Sequence, residues 1–251
     1  MAPADPSVRA RSFGSIAEDY DRYRPGPPAE AIDWLLPEPC TTALDVGAGT
    51  GALTRELVGR VPTVVAVEPD PRMRDVLGRL AGADALGAVA EALPLVDGCA
   101  DAVLVSSAWH WMDPARSTEE FGRVLRPGGV LGLLWNGPDR RQPWVAELFE
   151  RGRRPDRDTG PPRRAGEEWA ELFSATFHPV ERRVVTWSRP FRPDDLVGMA
   201  GTYSSVITLP DDERARVLAD VARFVAEHPN AARGGGIDLP MACRCVRLVR
   251  R

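Results

Sequence analysis

The stretch Ala43-Leu44-Asp45-Val46-Gly47-Ala48-Gly49-Thr50-Gly51 constrains this chain more than any other. Leu44 and Val46 suit a strand covered on both faces, and glycines at 47, 49 and 51 leave no Cβ between the backbone and whatever rests on the turn. Thr50 to Arg60 then repeats apolar residues at helical spacing, with Leu53, Leu57 and Val58 on one face. Strand, glycine turn and helix in that order would offer the N–H groups of a helix N-terminus to a ligand.

The spacing separates the candidate ligands. A dinucleotide fingerprint reads Gly-x-Gly-x-x-Gly, and a phosphate-cradling loop needs Gly-Lys-Ser/Thr. Here the pattern is Asp-x-Gly-x-Gly-x-Gly, and an acid at the strand end disfavours a pyrophosphate and favours a ligand carrying positive charge. S-adenosylmethionine has a sulfonium and an ammonium and no phosphate. On these residues the stretch resembles the first motif of the class I S-adenosylmethionine-dependent methyltransferases, of the small-molecule, type 11-like kind. The resemblance implies that Asp45, Gly47, Ala48, Gly49, Thr50 and Gly51 bind that cofactor.

Further segments fit the same pattern. Thr63-Val64-Val65-Ala66-Val67 reads as a central parallel strand ending in Glu68, an acid placed to accept two hydrogen bonds from a ribose diol. Glu68-Pro69-Asp70 with Met73 one turn on is similar to the family's second motif, which implies Glu68 on the ribose and Pro69 and Met73 beside the adenine. Ala85 to Val89 is a short third strand, followed by Ala90-Glu91-Ala92, to which the resemblance gives recognition of the adenine edge. Asp101 to Ser106 is a fourth strand opening into Ser107-Ala108-Trp109-His110-Trp111, and ligands of open parallel sheets bind beyond such strand ends. Ser106 therefore joins the cofactor residues, and Trp109 and Trp111 the substrate pocket, where aromatic walls stabilise a cation. Asp113-Pro114 starts a helix, with Phe121, Val124 and Leu125 inward, and Pro127-Gly128-Gly129 turns into a fifth strand over Val130 to Trp135.

Before the first strand, Phe13, Ile16, Ala17 and Tyr20 recur at helical spacing ahead of Tyr23-Arg24-Pro25-Gly26-Pro27-Pro28, and Ala29 to Leu36 forms another helix. This segment resembles the N-terminal cap of many small-molecule methyltransferases, which implies that Phe13 and Tyr20 fold over the cofactor. The expected architecture is α/β: one Rossmann-like, doubly wound, seven-stranded, mostly parallel sheet with an antiparallel C-terminal strand and an N-terminal helical cap. All 251 residues form one domain in this reading, with a cap over 12–36, a cofactor-binding half over 41–135 and substrate-side helices and last strands over 136–251. In that last part Pro143 to Glu150, Glu167 to Phe177 and Asp211 to Glu227 read as helices, and Val180 to Trp187 and Pro240 to Val249 as strands. Residues 151–164 read as a mobile loop rich in Arg, Asp, Pro and Gly, and residues 1–11 as a loose tail.

Composition removes several chemistries. All 32 basic residues are arginine, so no Schiff-base, P-loop or general-base lysine is available. A net charge of −4 gives no bulk attraction to nucleic acid. Cys40, Cys99, Cys243 and Cys245 show no metal-ligand spacing, and Cys243 and Cys245 read as small buried residues sharing a strand face, so no metal is expected. No run approaches the about 18 apolar residues of a membrane span, and the N-terminus lacks an apolar signal core, which points to a cytoplasmic chain that needs no membrane. The oligomeric state is not legible.

These features together predict methyl transfer from S-adenosyl-L-methionine to a hydroxyl, amine or carbon nucleophile of a small molecule by in-line displacement. His110 is the candidate catalytic base, because an imidazole titrates near neutral pH. An alternative is a protein that binds the cofactor without transferring methyl, as a regulatory partner or a cofactor-assisted cyclase. Base-modifying enzymes fit less well: Ser106-Ser107-Ala108-Trp109 stands where an Asp/Asn-Pro-Pro-Tyr sequence or a cysteine would be needed.

Overall fold

The computed structural model describes residues 13–83, 85–151, 167–229, 231 and 235–251. Five parallel strands form one side of a seven-stranded sheet: β1 (Thr42–Val46), β2 (Thr63–Val67), β3 (Ala85–Leu86), β4 (Ala100–Ser106) and β5 (Leu125–Pro138). With β6 (Glu181–Phe191) and β7 (Ile237–Val249) the order is β3-β2-β1-β4-β5-β7-β6, and the C-terminal strands run antiparallel. The helices are α1 (Ala17–Tyr23), α2 (Ala29–Leu35), α3 (Ala52–Leu57), α4 (Pro71–Ala81), α5 (Pro114–Val124), α6 (Pro143–Arg151), α7 (Glu167–Ser174), α8 (Pro193–Gly201), α9 (Ser204–Ile207) and α10 (Asp211–Ala226). The strand order reverses between β1 and β4, and ligands of such sheets bind at that switch point.

The chain divides into two compact units. The larger comprises 26–136, 160–185 and 243–251, and the alternation of its strands explains their continuous apolar runs. Leu44, Val46, Val103, Val105, Leu131 and Leu133 point to one face, where Phe121 and Val124 of α5 and Phe173 of α7 cover them. Ala43, Ala102, Leu104 and Leu134 point to the other, under Ile32 and Leu35 of α2 and Leu53 and Leu57 of α3. Gly132 sits between them on β5: a Cβ there would come within 2.5 Å of Leu104 and 3.1 Å of Leu35. Cys243 and Cys245 belong to this second layer, both buried, their sulfurs 3.7 Å apart. Buried Asp101 ties the start of β4 to the start of β1, accepting the N–H groups of Thr41 and Thr42.

The smaller unit comprises 1–25, 137–159 and 186–242 and has its own core. Val145, Leu148 and Phe149 of α6, Leu196 and Met199 of α8, Val221 and Val225 of α10 and Leu239 and Met241 of β7 close on one another. Tyr23 at the end of α1 lies over Gly198 of α8, where a Cβ would come within 2.4 Å of its ring.

Several boundaries differ from those the spacing predicts. Helix α3 covers 52–57 rather than 50–60, because Gly51 (φ 86°) and Gly59 (φ 90°) both take the left-handed conformation. Strand β3 stops at Leu86, since Ala88 N–H turns back to the Leu86 carbonyl. Strand β5 starts at Leu125 and absorbs Pro127-Gly128-Gly129, because Arg250, just after β7, pairs with it there: Gly128 N–H donates to Arg250 O and Arg250 N–H to Gly129 O. Helix α7 ends at Ser174, β6 runs on to Phe191 and β7 begins at Ile237. Helices α8 and α9 carry no reading from the sequence at all. The expected loop over 151–164, after Arg151, and the tail over 1–11 lie outside the described residues. No described helix is long and apolar enough to cross a membrane.

Candidate active site

The glycine turn is fixed from below by the end of β2. The Val67 carbonyl accepts the N–H of both Gly47 (2.8 Å) and Ala48 (3.0 Å), and Gly51 N–H closes on Ala48 O at 2.9 Å. The N–H groups of Gly47, Ala48 and Gly51 are thus engaged within the protein, and α3, which starts just after the turn, is six residues long. The turn is a rigid shelf, and its side chains and glycine surfaces define what can lie on it.

The three glycines have different jobs, although all take positive φ (71°, 57° and 86°). A Cβ on Gly47 would meet Ala108 at 2.6 Å, and one on Gly51 would meet Leu77 at 2.9 Å, so these two are glycine for packing. Nothing lies within 4 Å of the Cβ position of Gly49, which faces open space.

Two buried acids belong to the turn: Glu68, bonded to Gly49, and Asp45, which precedes the turn at the end of β1. Glu68, 8% exposed, accepts the Gly49 N–H on Oε2 (2.9 Å) and the Asp70 N–H on Oε1 (2.8 Å). Burial raises its pKa, against the lowering effect of the two backbone donors. Asp45 is 0% exposed; its Oδ2 accepts the Thr54 hydroxyl at 2.6 Å, while Oδ1 is buried without a hydrogen-bond partner, as is Thr50 Oγ1. Burial pushes the Asp45 carboxyl up to about 7, the Thr54 bond opposes this and the nearby Glu68 adds to it. Near neutral pH Asp45 is therefore poised between its two protonation states, and a neighbouring cation would favour the charged one.

The other sequence-predicted residues fall around this shelf or away from it. Pro69 leads into α4, whose N-cap Asp70 accepts the Arg72 N–H, and Met73 is buried on that helix. Ala90 is buried, and Ala92 N–H bonds Val89 O in a tight turn. Glu91 accepts the N–H of Asp113 at 2.7 Å, tying the loop after β3 to the N-cap of α5. Ser106 ends β4 opposite Leu134. Trp109 is 4% exposed and packs against Phe121 and Phe173 at 6.2 and 5.7 Å, which makes it a core residue that holds the aromatic loop down. His110 is exposed, its ring 4.5 Å from that of half-buried Trp111. Tyr20 belongs to the smaller unit, half-buried beside Arg24, and the Phe13 side chain lies outside what is described. Among the described residues no group of three His, Cys, Asp or Glu side chains could hold a metal.

Some residues that build the site escaped the sequence reading. Thr54 is one helical turn from Thr50 and carries no motif, yet it holds Asp45. Ser107 takes φ 56°, unusual for a residue with a side chain, and its N–H bonds Leu134 O; this turn carries Ala108 over to Gly47. Arg74 donates to the carbonyls of Glu68 and Pro69 at 2.7 and 2.9 Å and so stiffens the loop that presents Glu68.

A doubly wound sheet with its glycine turn beside a carboxylate at the end of the second strand is the architecture of the class I methyltransferases. The sequence comparisons agree: a methyltransferase-domain family model matches residues 44–133. An uncharacterized methyltransferase of Mycobacterium tuberculosis is 46% identical over 237 residues, 94% of each chain, and one of Schizosaccharomyces pombe is 30% identical over 91% of this chain and 92% of its own. The chain therefore belongs to the class I S-adenosylmethionine-dependent methyltransferase family. The fold is shared with a protein of Anaeromyxobacter dehalogenans described as a type II methyltransferase (TM-score 0.64, 23% identity, 91% of this chain and 98% of that one). It is also shared with a methyltransferase of Thermotoga maritima (TM-score 0.55, 20% identity, 97% and 100%).

The buried Asp45 makes a prediction about stability. Its folded pKa, about 7, lies above the ordinary value of 3.8, so the native state holds a proton that the unfolded chain releases. The stability this provides is complete below about pH 4 and is lost as pH rises through about 7, with a slope near 1.4 kcal/mol per pH unit in between. Asp45→Asn keeps an acceptor for Thr54 and removes the titration. Urea unfolding of both proteins from pH 4 to 8 should show the variant gaining on the wild type with rising pH; a difference that stays flat contradicts the assignment.

Proposed function

We propose that the chain transfers the methyl group of S-adenosylmethionine to a hydroxyl, amine or carbon nucleophile of a small molecule, residues 1–251 acting as one methyltransferase domain. The observation that carries this reading is the Glu68 carboxylate, held at the glycine turn by the N–H groups of Gly49 and Asp70. A carboxylate has about four lone-pair sites, so these two bonds leave each oxygen able to accept a ribose hydroxyl. The open surface of Gly49 supports the reading, because an adenosyl ligand could approach the backbone there. The unpartnered Asp45 Oδ1 and Thr50 Oγ1 beneath the turn suit a cationic amino-acid end.

The cofactor, when bound, supplies a methyl group on a sulfonium and needs no covalent help. The protein's part is to hold donor and acceptor in line, which can contribute roughly 7 to 11 kcal/mol. Glu68, Gly49 and Asp45 would fix the donor, with Pro69, Met73, Ala90, Glu91 and Ala92 around the base. The loop after β4 would face the acceptor with Trp111 and His110, and exposed His110 would take the proton from a hydroxyl acceptor.

Gly49→Ala puts a methyl group into the proposed ligand space and asks a non-glycine residue to hold φ 57°. The strain should cost about 1–2 kcal/mol of stability, and calorimetry should show S-adenosylmethionine affinity falling at least tenfold. Unchanged affinity, or tight NAD binding with none for S-adenosylmethionine, would overturn the cofactor assignment. For hydroxyl acceptors, His110→Ala should lower kcat by about 10²–10⁴-fold and flatten the acid limb of its pH profile. A variant with wild-type kcat and profile removes His110 from the mechanism.

A further inference from the structure

The segment between β3 and β4, residues 87–99, crosses from one edge of the sheet past β2 and β1 with no helix or strand of its own. Crossovers between parallel strands usually contain a helix, which satisfies its own backbone groups, so this segment needs partners elsewhere. It leaves the sheet beside Glu68, whose N–H donates to Leu86 O at 3.0 Å, and its Ala90 and Leu93 pack in the same layer as Trp109. Helix α5 supplies the partners. Glu91 accepts the N–H of Asp113 at the start of α5. Leu93 N–H donates to Glu120 Oε1 at 2.6 Å, and Gly98 N–H to Arg123 O at 2.9 Å.

Arg123 ties the segment down most extensively. Its Nη1 donates to Leu95 O at 2.8 Å and Asp97 Oδ1 at 2.6 Å, its Nη2 to Leu93 O at 3.1 Å and Glu120 Oε1 at 2.7 Å, and its Nε to Glu120 Oε2 at 2.8 Å. These bonds spend all five N–H donors of the guanidinium, so Arg123 has none to give a ligand, and what it fixes is the path of the chain. Glu120 orients the fork through both carboxylate oxygens, and the oxygen that takes Nη2 also takes Leu93 N–H. Ala90-Glu91-Ala92 lies just ahead of this network and is pinned on its other side by the bond from Asp113. That bond uses one Glu91 oxygen, and the carboxylate keeps lone pairs for an N–H donor on a base. We propose that Arg123, oriented by Glu120, is a positioning residue for cofactor specificity: it holds Ala90-Glu91-Ala92 where they tell adenine from other purine bases. That role rests on the cofactor reading above.

Calorimetry on the whole chain with S-adenosylhomocysteine and S-inosylhomocysteine, which differ only in the hydrogen-bonding edge of the purine, tests this. The wild type should favour the adenosyl ligand by about tenfold or more. Arg123→Gln and Glu120→Gln should each bring that ratio toward one, and Arg123→Lys, which keeps the charge without the fork, should restore part of it. Arg126→Gln controls for lost stability alone: it breaks the ion pair with Asp101 at the start of β4 and should leave the ratio at its wild-type value. Amide hydrogen exchange over residues 88–98 should quicken in Arg123→Gln and not in Arg126→Gln. A ratio that Arg123→Gln and Glu120→Gln both keep overturns the proposal, as does a ratio lost equally in Arg126→Gln or lost with no change in exchange over 88–98. A wild type that binds the two ligands equally also overturns it and leaves the cofactor reading standing, whereas a wild type that binds no S-adenosylhomocysteine removes the cofactor reading and this role with it. Circular dichroism shows which variants fold; where Arg123→Gln does not, the ratios of Glu120→Gln and Arg123→Lys decide.

Discussion

The last residue of β2 and the one that follows it organise this molecule. Val67 places its carbonyl under the N–H groups of Gly47 and Ala48, and Glu68 places its carboxylate against the N–H of Gly49. Three consecutive donors of the turn are thereby bound to one neighbouring strand end. A loop of small residues with three positive-φ glycines would otherwise be among the most mobile parts of a chain. The parallel register of β1 on β2, with Val46 opposite Val67, is what brings these groups into reach. Burial raises the pKa of the acid on either side of the turn; the N–H groups of Asp70 and Gly49 oppose this at Glu68, while fully enclosed Asp45, opposed by Thr54, is pushed up to about 7.

Sequence patterns were informative wherever a physical rule ties residue type to backbone shape. The buried strands over 42–46, 63–67 and 100–106 announce themselves as apolar runs, since both faces of a central parallel strand are covered. Asp113-Pro114 marks a helix start, and Asp113 does cap α5 through the N–H groups of Ala115 and Arg116. The glycine turn and Glu68 are read from the same local chemistry. What spacing cannot supply is the use of each group: Gly47 and Gly51 are required by Ala108 and Leu77, contacts that exist only once α4 and the β4 loop are in place. Trp109 and Trp111 look alike in sequence, and only the packing of Phe121 and Phe173 on the first separates a core residue from a half-buried one.

The smaller unit was the least legible because its order comes from contacts distant in sequence. Helix α8 begins Pro193-Asp194-Asp195, yet its middle carries Gly198 and a mixed apolar pattern, and it packs against α10 on one side while Tyr23 lies across that glycine. Arg24 illustrates the same limit. In a chain with 32 basic residues, all arginine, no pattern singles it out, and the contacts that hold it are with Thr202 and Tyr203, 178 and 179 positions away. Long-range partners of this kind decide where a fold departs from local propensity.

The central claim is that a carboxylate fixed at the glycine turn receives a ribose diol. It is tested most directly by comparing the affinity of the wild-type protein for S-adenosylhomocysteine with its affinity for the 2′,3′-dideoxy analogue, measured by calorimetry under the same conditions. Hydrogen bonds to a charged acceptor are worth about 1.5–3 kcal/mol each, so the account predicts at least tenfold weaker binding of the dideoxy analogue. Equal affinity for the two would contradict it.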